Sequence, residues 1–256
     1  MAEAILSSIL ENGLCEPWEI TACDKSPERR ELMEKQYEVI PSDDPAATVK
    51  ESEVVVIAVK PQDLAELCKT VKPVLTAGHL VVSIAAGKTL KAVKLAAGAK
   101  PRFIRVMPNL ALMAGEGMSV YTADRKATEA DRKIVSDIFG GAGAVLNLPE
   151  KHFDAVTALS GSGPAYFAYM LKAMADGGVA LGLPPDAARL MAEQTMIGTG
   201  IYLQNSGRDL DEFIKAVCSP KGTTEAGMKV LGKSPFAKTV AKTLAATAAR
   251  SAELAK

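Results

Sequence analysis

The segment Ser219-Pro220-Lys221-Gly222-Thr223-Thr224 carries the residue types of an anion-binding helix start. The first amides of a helix lack intrahelical partners, so their N–H groups point beyond its end and can take a carboxylate. A threonine hydroxyl in the same turn can bond another polar atom of that ligand. Taken alone, Ser219 or Thr223 capping the helix is the plainer reading. Gly161-Ser162-Gly163-Pro164-Ala165-Tyr166 is a second dense stretch. Its glycines, with proline at the first helical position, make a tight turn that another backbone can approach.

Earlier in the chain, Glu53–Val59 (EVVVIAV) is a continuous apolar run, as expected of a strand buried on both faces. It leads into Ala58, Val59, Lys60 and Pro61. In parallel sheets ligands bind beyond the carboxyl ends of the strands. The same logic selects Ala85, Ala86 and Gly87 in SIAAG (Ser83–Gly87), and Asn109 in RVMPN (Arg105–Asn109). Any one such turn is ordinarily packing; successive strands carrying them point to a nucleotide crevice. Asp24 ends another strand and can accept bonds from ribose hydroxyls, favouring NAD. Lys25, Ser26 and Arg29 follow at once and can instead hold a 2′-phosphate, favouring NADP. Both readings stand.

These residues need elements to hold them. Strand-like segments (Glu19–Asp24, Glu53–Val59, Leu80–Ala85, Arg102–Val106, Gly117–Tyr121, Ala144–Leu148) alternate with helical ones, and Pro61 opens one of the helices. That alternation predicts a parallel, doubly wound α/β sheet with helices on both faces. After His152 the pattern is helical throughout: Pro164–Leu181, Pro185–Gln204, Asp209–Val217, Thr223–Leu231 and Pro235–Ala255. The expected division is a dinucleotide-binding domain at 1–149 and an all-helical dimerisation and substrate domain at 150–256. The chain opens in a helical segment, Met1–Asn12, with no G-x-G-x-x-G ahead of it. Two readings compete: a short protein, or a start lacking roughly 8–12 residues of strand and turn, the one favoured here.

With 256 residues, 48% of them hydrophobic, the chain can build a core without a disulfide or metal. Thirty basic and 30 acidic residues leave no net charge to draw nucleic acid or an anionic membrane. Cys15, Cys23, Cys68 and Cys218 form no C-x-x-C, and His79 and His152 stand far apart, so no metal site is expected. No apolar run is long enough for a membrane span, and the start is unlike a signal peptide. A cytoplasmic protein with reduced thiols is the expectation.

AVKPQ (Ala58–Gln62), SIAAG, RVMPN, GSGPAY, DGGVALGL (Asp176–Leu183), QTMIGTG (Gln194–Gly200) and SPKGTT occur in this order. Together they resemble the pyrroline-5-carboxylate reductase family over almost the whole chain. The resemblance implies a Rossmann-like N-terminal domain, here without its first strand, and an all-α dimerisation domain. It implies reduction of pyrroline-5-carboxylate to proline with NADPH or NADH, by a homodimer that in the family often assembles into a decamer. It places Ala58–Pro61, Ala85–Gly87 and Asn109 at the dinucleotide, Asn109 near the nicotinamide. It places the substrate carboxylate on the Thr223 and Thr224 amides, within the Ser219–Gly222 turn, and the Thr224 hydroxyl at the ring nitrogen. Departures are Lys221 for a usual glycine, Cys218 for a common threonine, and no asparagine near Asp44-Pro45. The rivals are a two-domain reductase of the 3-hydroxy acid type, for which Lys172 lacks its accompanying motif, and a truncated, non-catalytic helical dimer.

Overall fold

The computed structural model describes residues 1–254. Helix α1 (Ala2–Glu11) presents Leu6 to one small core, with Met33 and Val39, and Ala4 and Ile5 to a larger one, with Leu80, Val82 and Ile104. Next come β1 (Thr21–Cys23), α2 (Pro27–Tyr37), β2 (Ile40–Ser42) and α3 (Pro45–Lys50). Strand β1 pairs only with β2, in parallel, giving a two-stranded sheet. Neither β2 nor α3 stands out in the hydrophobic pattern, because β2 is short and contains Pro41. Helix α3 starts at Asp44-Pro45, where the Asp44 carboxylate accepts from the Ala46 and Ala47 amides.

The main sheet holds β3 (Val54–Ile57), β4 (Leu80–Ser83), β5 (Arg102–Met107), β6 (Gly117–Ala123) and β7 (Gly143–Asn147), in that spatial order. Helices α4 (Leu64–Val71), α5 (Leu90–Ala97) and α6 (Glu129–Gly140) connect them. Every residue of β4 is buried. Leu80 and Val82 face the α1 and α6 side, while Val81 meets Leu64, Cys68 and Val93 on the other. Helices on both faces are thus as expected, but the sheet is not wholly parallel: β5 and β6 run antiparallel. Their link, Pro108–Glu116, is too short for a crossover, which needs a dozen or more residues. Helix α4 also begins later than Pro61, after a turn in which the Asp63 amide bonds the Lys60 carbonyl at 2.9 Å.

The helical part comprises α7 (Phe153–Val156), a π-helical turn at Thr157–Gly161, α8 (Gly163–Ala180), α9 (Pro185–Ser206), α10 (Leu210–Val217), α11 (Thr223–Lys233) and α12 (Phe236–Leu254). Ala255, expected to end the last helix, lies outside the described residues. By backbone contacts the chain forms two compact units: Met1–Ser162 with the end of α12 from Ala246, and Gly163–Ala245. Within the second unit α8 and α9 pack tightly, since a Cβ on Gly178 would lie 3.2 Å from the Ala188 Cβ.

Candidate functional site: strand ends and a helix start

Strands β3, β4 and β5 run parallel, with Ile57 opposite Ser83 and Ser83 opposite Arg105. Their carboxyl ends therefore form one row: Ala58–Pro61, Ala85–Gly87 and Asn109. Ala85 and Gly87 are buried and Ala86 is exposed. Gly87 has φ +71°, and a Cβ there would sit 3.1 Å from Leu254 Cβ in α12. Ala58, Ala85, Ala86 and Gly87 carry little or no side chain, which lets a flat ligand approach the backbone at the strand ends, the fit a dinucleotide requires. His79 precedes β4 at the opposite end, its Nε2 bonded to the Val49 carbonyl at 3.0 Å. It is remote from the row.

Asp24 and Ser26 belong to the small sheet, not the row. The Asp24 carboxylate accepts from the Ser26 amide at 2.9 Å, and Ser26 Oγ accepts from the Arg29 amide at 3.2 Å. Arg29 pairs with Glu3 at 2.9 Å. Arg30 Nη1 donates to the Asp24 carbonyl at 2.8 Å. The neighbouring Cys23 thiol is pushed up by burial, against bonds from Thr48 and Ser42.

Ser219, Gly222, Thr223 and Thr224 lie in the second unit, at the start of α11. Gly222 is the N-cap residue and no side chain caps the helix. The first intrahelical bond runs from Ala226 N–H to the Gly222 carbonyl at 3.2 Å, so the Thr223 and Thr224 amides stay available. Thr223 is exposed and Thr224 half-buried. The Gly222 amide closes the turn onto the Ser219 carbonyl at 2.9 Å. A Cβ on Gly222 would lie 2.2 Å from Ser219 Oγ and 3.0 Å from the Ser219 carbonyl oxygen, so the turn is tightest with glycine there. Lys221 has φ +59°, the left-handed region glycine favours. Its amide donates to Glu225 Oε2 at 2.8 Å.

Comparison with known proteins gives the family of the chain. Residues 150–254 match the model of the pyrroline-5-carboxylate reductase dimerisation family, and residues 1–87 match that of the coenzyme F420-dependent NADP oxidoreductases. The chain is 41% identical to the pyrroline-5-carboxylate reductase of Glycine max, covering 99% of this chain and 92% of that protein. The chain belongs to the pyrroline-5-carboxylate reductase family. A second member, from Bacillus subtilis, is 32% identical over 99% of this chain and 91% of its own. The solved reductase of Coxiella burnetii superposes with a TM-score of 0.94 at 29% identity, covering 100% of this chain and 95% of that one. The pyrroline carboxylate reductase of Plasmodium falciparum, solved with NADP bound, gives 0.88 at 25% identity, covering 99% and 94%. A family with a dimerisation domain is one of homo-oligomers.

The motifs do not single out the polar ties around the row. Glu150 Oε1 accepts from Arg105 Nη1 at 3.0 Å and from the Leu90 amide at 2.7 Å. The Arg105 guanidinium also lies 4.5 Å from the centre of the Phe153 ring. Ser251 Oγ in α12 donates to Asp154 Oδ1 at 2.7 Å. Asn109, expected at the nicotinamide, spends its amide on protein partners: Nδ2 donates to the Ser160 carbonyl at 3.1 Å, and Oδ1 accepts from the Met118 amide at 3.2 Å.

Proposed function

We propose that this chain reduces L-1-pyrroline-5-carboxylate to L-proline with NADPH, NADH being the alternative donor. The observation that carries the reading is the uncapped start of α11, with the Thr223 and Thr224 amides available behind the Gly222 turn. Those amides take the substrate carboxylate, helped by the positive end of the helix dipole. The Thr224 hydroxyl bonds the ring nitrogen and orients the C=N carbon. A protonated imine is the better hydride acceptor, so holding the proton at that nitrogen is the residue's main task. Bound reduced nicotinamide supplies the hydride, and the protein supplies placement. Ala58–Pro61, Ala85–Gly87 and the backbone of Asn109 line the nicotinamide and ribose side, the Asn109 side chain being held by Ser160 and Met118; Asp24 and Ser26 face the adenosine ribose.

The functional division falls near residue 150, with 1–149 holding the dinucleotide and 150–256 holding substrate and building the dimer. The protein works in the cytoplasm, and the dimer is the unit from which a decamer can assemble. Purified protein given NADPH and pyrroline-5-carboxylate should lose NADPH absorbance in step with proline formation. Absence of consumption with either dinucleotide would overturn the reaction. Thr224→Ala should lower kcat about 10- to 100-fold while leaving the circular dichroism spectrum unchanged. Undiminished turnover in that variant would remove Thr224 from its role.

A further inference from the structure

The π-helical turn at Thr157–Gly161 precedes α8, and single π turns inside helices are frequent at functional sites. In an α-helical pattern the Ser160 carbonyl would accept from the amide of residue 164. That residue is Pro164, which has no N–H. The α-type donor to this part-buried carbonyl is therefore missing, and a donor from elsewhere in the fold stabilises it. Asn109 Nδ2 supplies it at 3.1 Å. Asn109 is nine-tenths buried, and its Oδ1 is held by the Met118 amide at 3.2 Å. Met107, two residues earlier, packs under the same turn: a Cβ on Gly161 would lie 2.6 Å from Met107 Cε.

We infer that Asn109 is a positioning residue, a latch tying the end of β5 to the π turn, and that its side chain acts by replacing the donor Pro164 removes. The inference deepens the proposed function, since it makes the register of the β5 end, where the nicotinamide is proposed to lie, depend on this tie. RVMPN and GSGP thus act as one joint rather than as separate contacts to the cofactor. Small misplacements at a reacting centre can cost as much as 100-fold in rate without weakening binding.

The test combines Asn109→Ala with Pro164→Ala, which returns an N–H to residue 164. Asn109→Ala should speed amide hydrogen exchange across residues 157–163 by roughly tenfold or more and lower kcat by a similar factor. The NADPH dissociation constant, measured by titration without substrate, should stay within about twofold of the parent, because no contact to the dinucleotide is lost. In the double variant, read against Pro164→Ala alone, much of the exchange protection and kcat should return. Unchanged exchange in Asn109→Ala, or weakened NADPH binding that Pro164→Ala does not restore, would overturn the latch. If Asn109→Ala does not fold, Asn109→Asp is read by the same criteria, since it keeps the acceptor for Met118 and loses the donor to Ser160. Exchange and titration need no turnover. A parent protein inactive on pyrroline-5-carboxylate would therefore defeat the proposed reaction while the latch is still judged by these two measurements.

Discussion

Lys221 shows how a single residue in the turn before α11 bears on stability. Its φ of +59° is a conformation that strains a side-chain-bearing residue. The bond from its amide to Glu225 Oε2 at 2.8 Å helps hold that conformation. Lys221→Gly removes the strain but gives the unfolded chain more freedom, so the net gain should be about 0.5–1 kcal/mol. A raised midpoint in thermal or urea unfolding checks it. Gly222→Ala should do the reverse, because its Cβ would lie 3.0 Å from the Ser219 carbonyl oxygen as well as against Ser219 Oγ. The turn must open to admit it, so the Michaelis constant for the carboxylate substrate should rise about tenfold or more.

Among the elements, β6, β7 and α6 rest on two local devices. Gly143 has φ +137°, and a Cβ there would stand 2.0 Å from the Gly117 carbonyl oxygen. Gly143→Ala should therefore part the β6–β7 pair and cost at least about 3 kcal/mol in equilibrium unfolding. Helix α6 starts at a capping box in which Thr128 Oγ1 accepts from the Asp131 amide at 3.1 Å and Asp131 Oδ2 accepts from the Thr128 amide at 2.7 Å. Arg102 of β5 adds a bond to the same carboxylate at 2.9 Å. Burial works to raise the Asp131 pKa, but the bonds from Arg102 and Thr128 outweigh it and hold the carboxyl below its ordinary 3.8. The folded state thus gains from this group at pH values above 3.8 and loses the gain as pH falls through the depressed value. Asp131→Asn should cost about 2 kcal/mol at neutral pH, and the gap from the parent should narrow below about pH 4. Unfolding curves at a series of pH values measure both.

At the scale of the whole molecule, the second unit carries far more apolar surface than a lone domain hides well. Phe167, Tyr169 and Met174 on α8 are 59%, 77% and 56% exposed, and Leu190, Ile197 and Ile201 on α9 are 65%, 50% and 52% exposed. Large apolar side chains this exposed on two packed helices point to a protein interface, which accords with the dimerisation family matched over residues 150–254. Light scattering should give at least twice the 26.9 kDa chain mass. Ile197→Glu should shift the mass towards the monomer and lower the unfolding midpoint, because an unpaired carboxylate would be buried in the interface.

Much of this protein is legible in its residues alone. The apolar run before Ala58 and the Gly222-Thr223-Thr224 turn each follow from local sterics and unpaired amides, which neighbouring residues determine. Order and spacing of the motifs were enough to point to the family. Tertiary structure decided what depends on residues distant in sequence. The antiparallel β5–β6 step follows from how a short link must return along the sheet, and β1–β2 stands apart because neither pairs with β3. The contact of Leu254 with Gly87 spans most of the chain. Asn109 reads in sequence as a cofactor residue, yet its amide is committed to Ser160 and Met118. Pro164 signals that the Ser160 carbonyl lacks its α-helical donor, but only the packed fold brings Asn109 within reach to provide another.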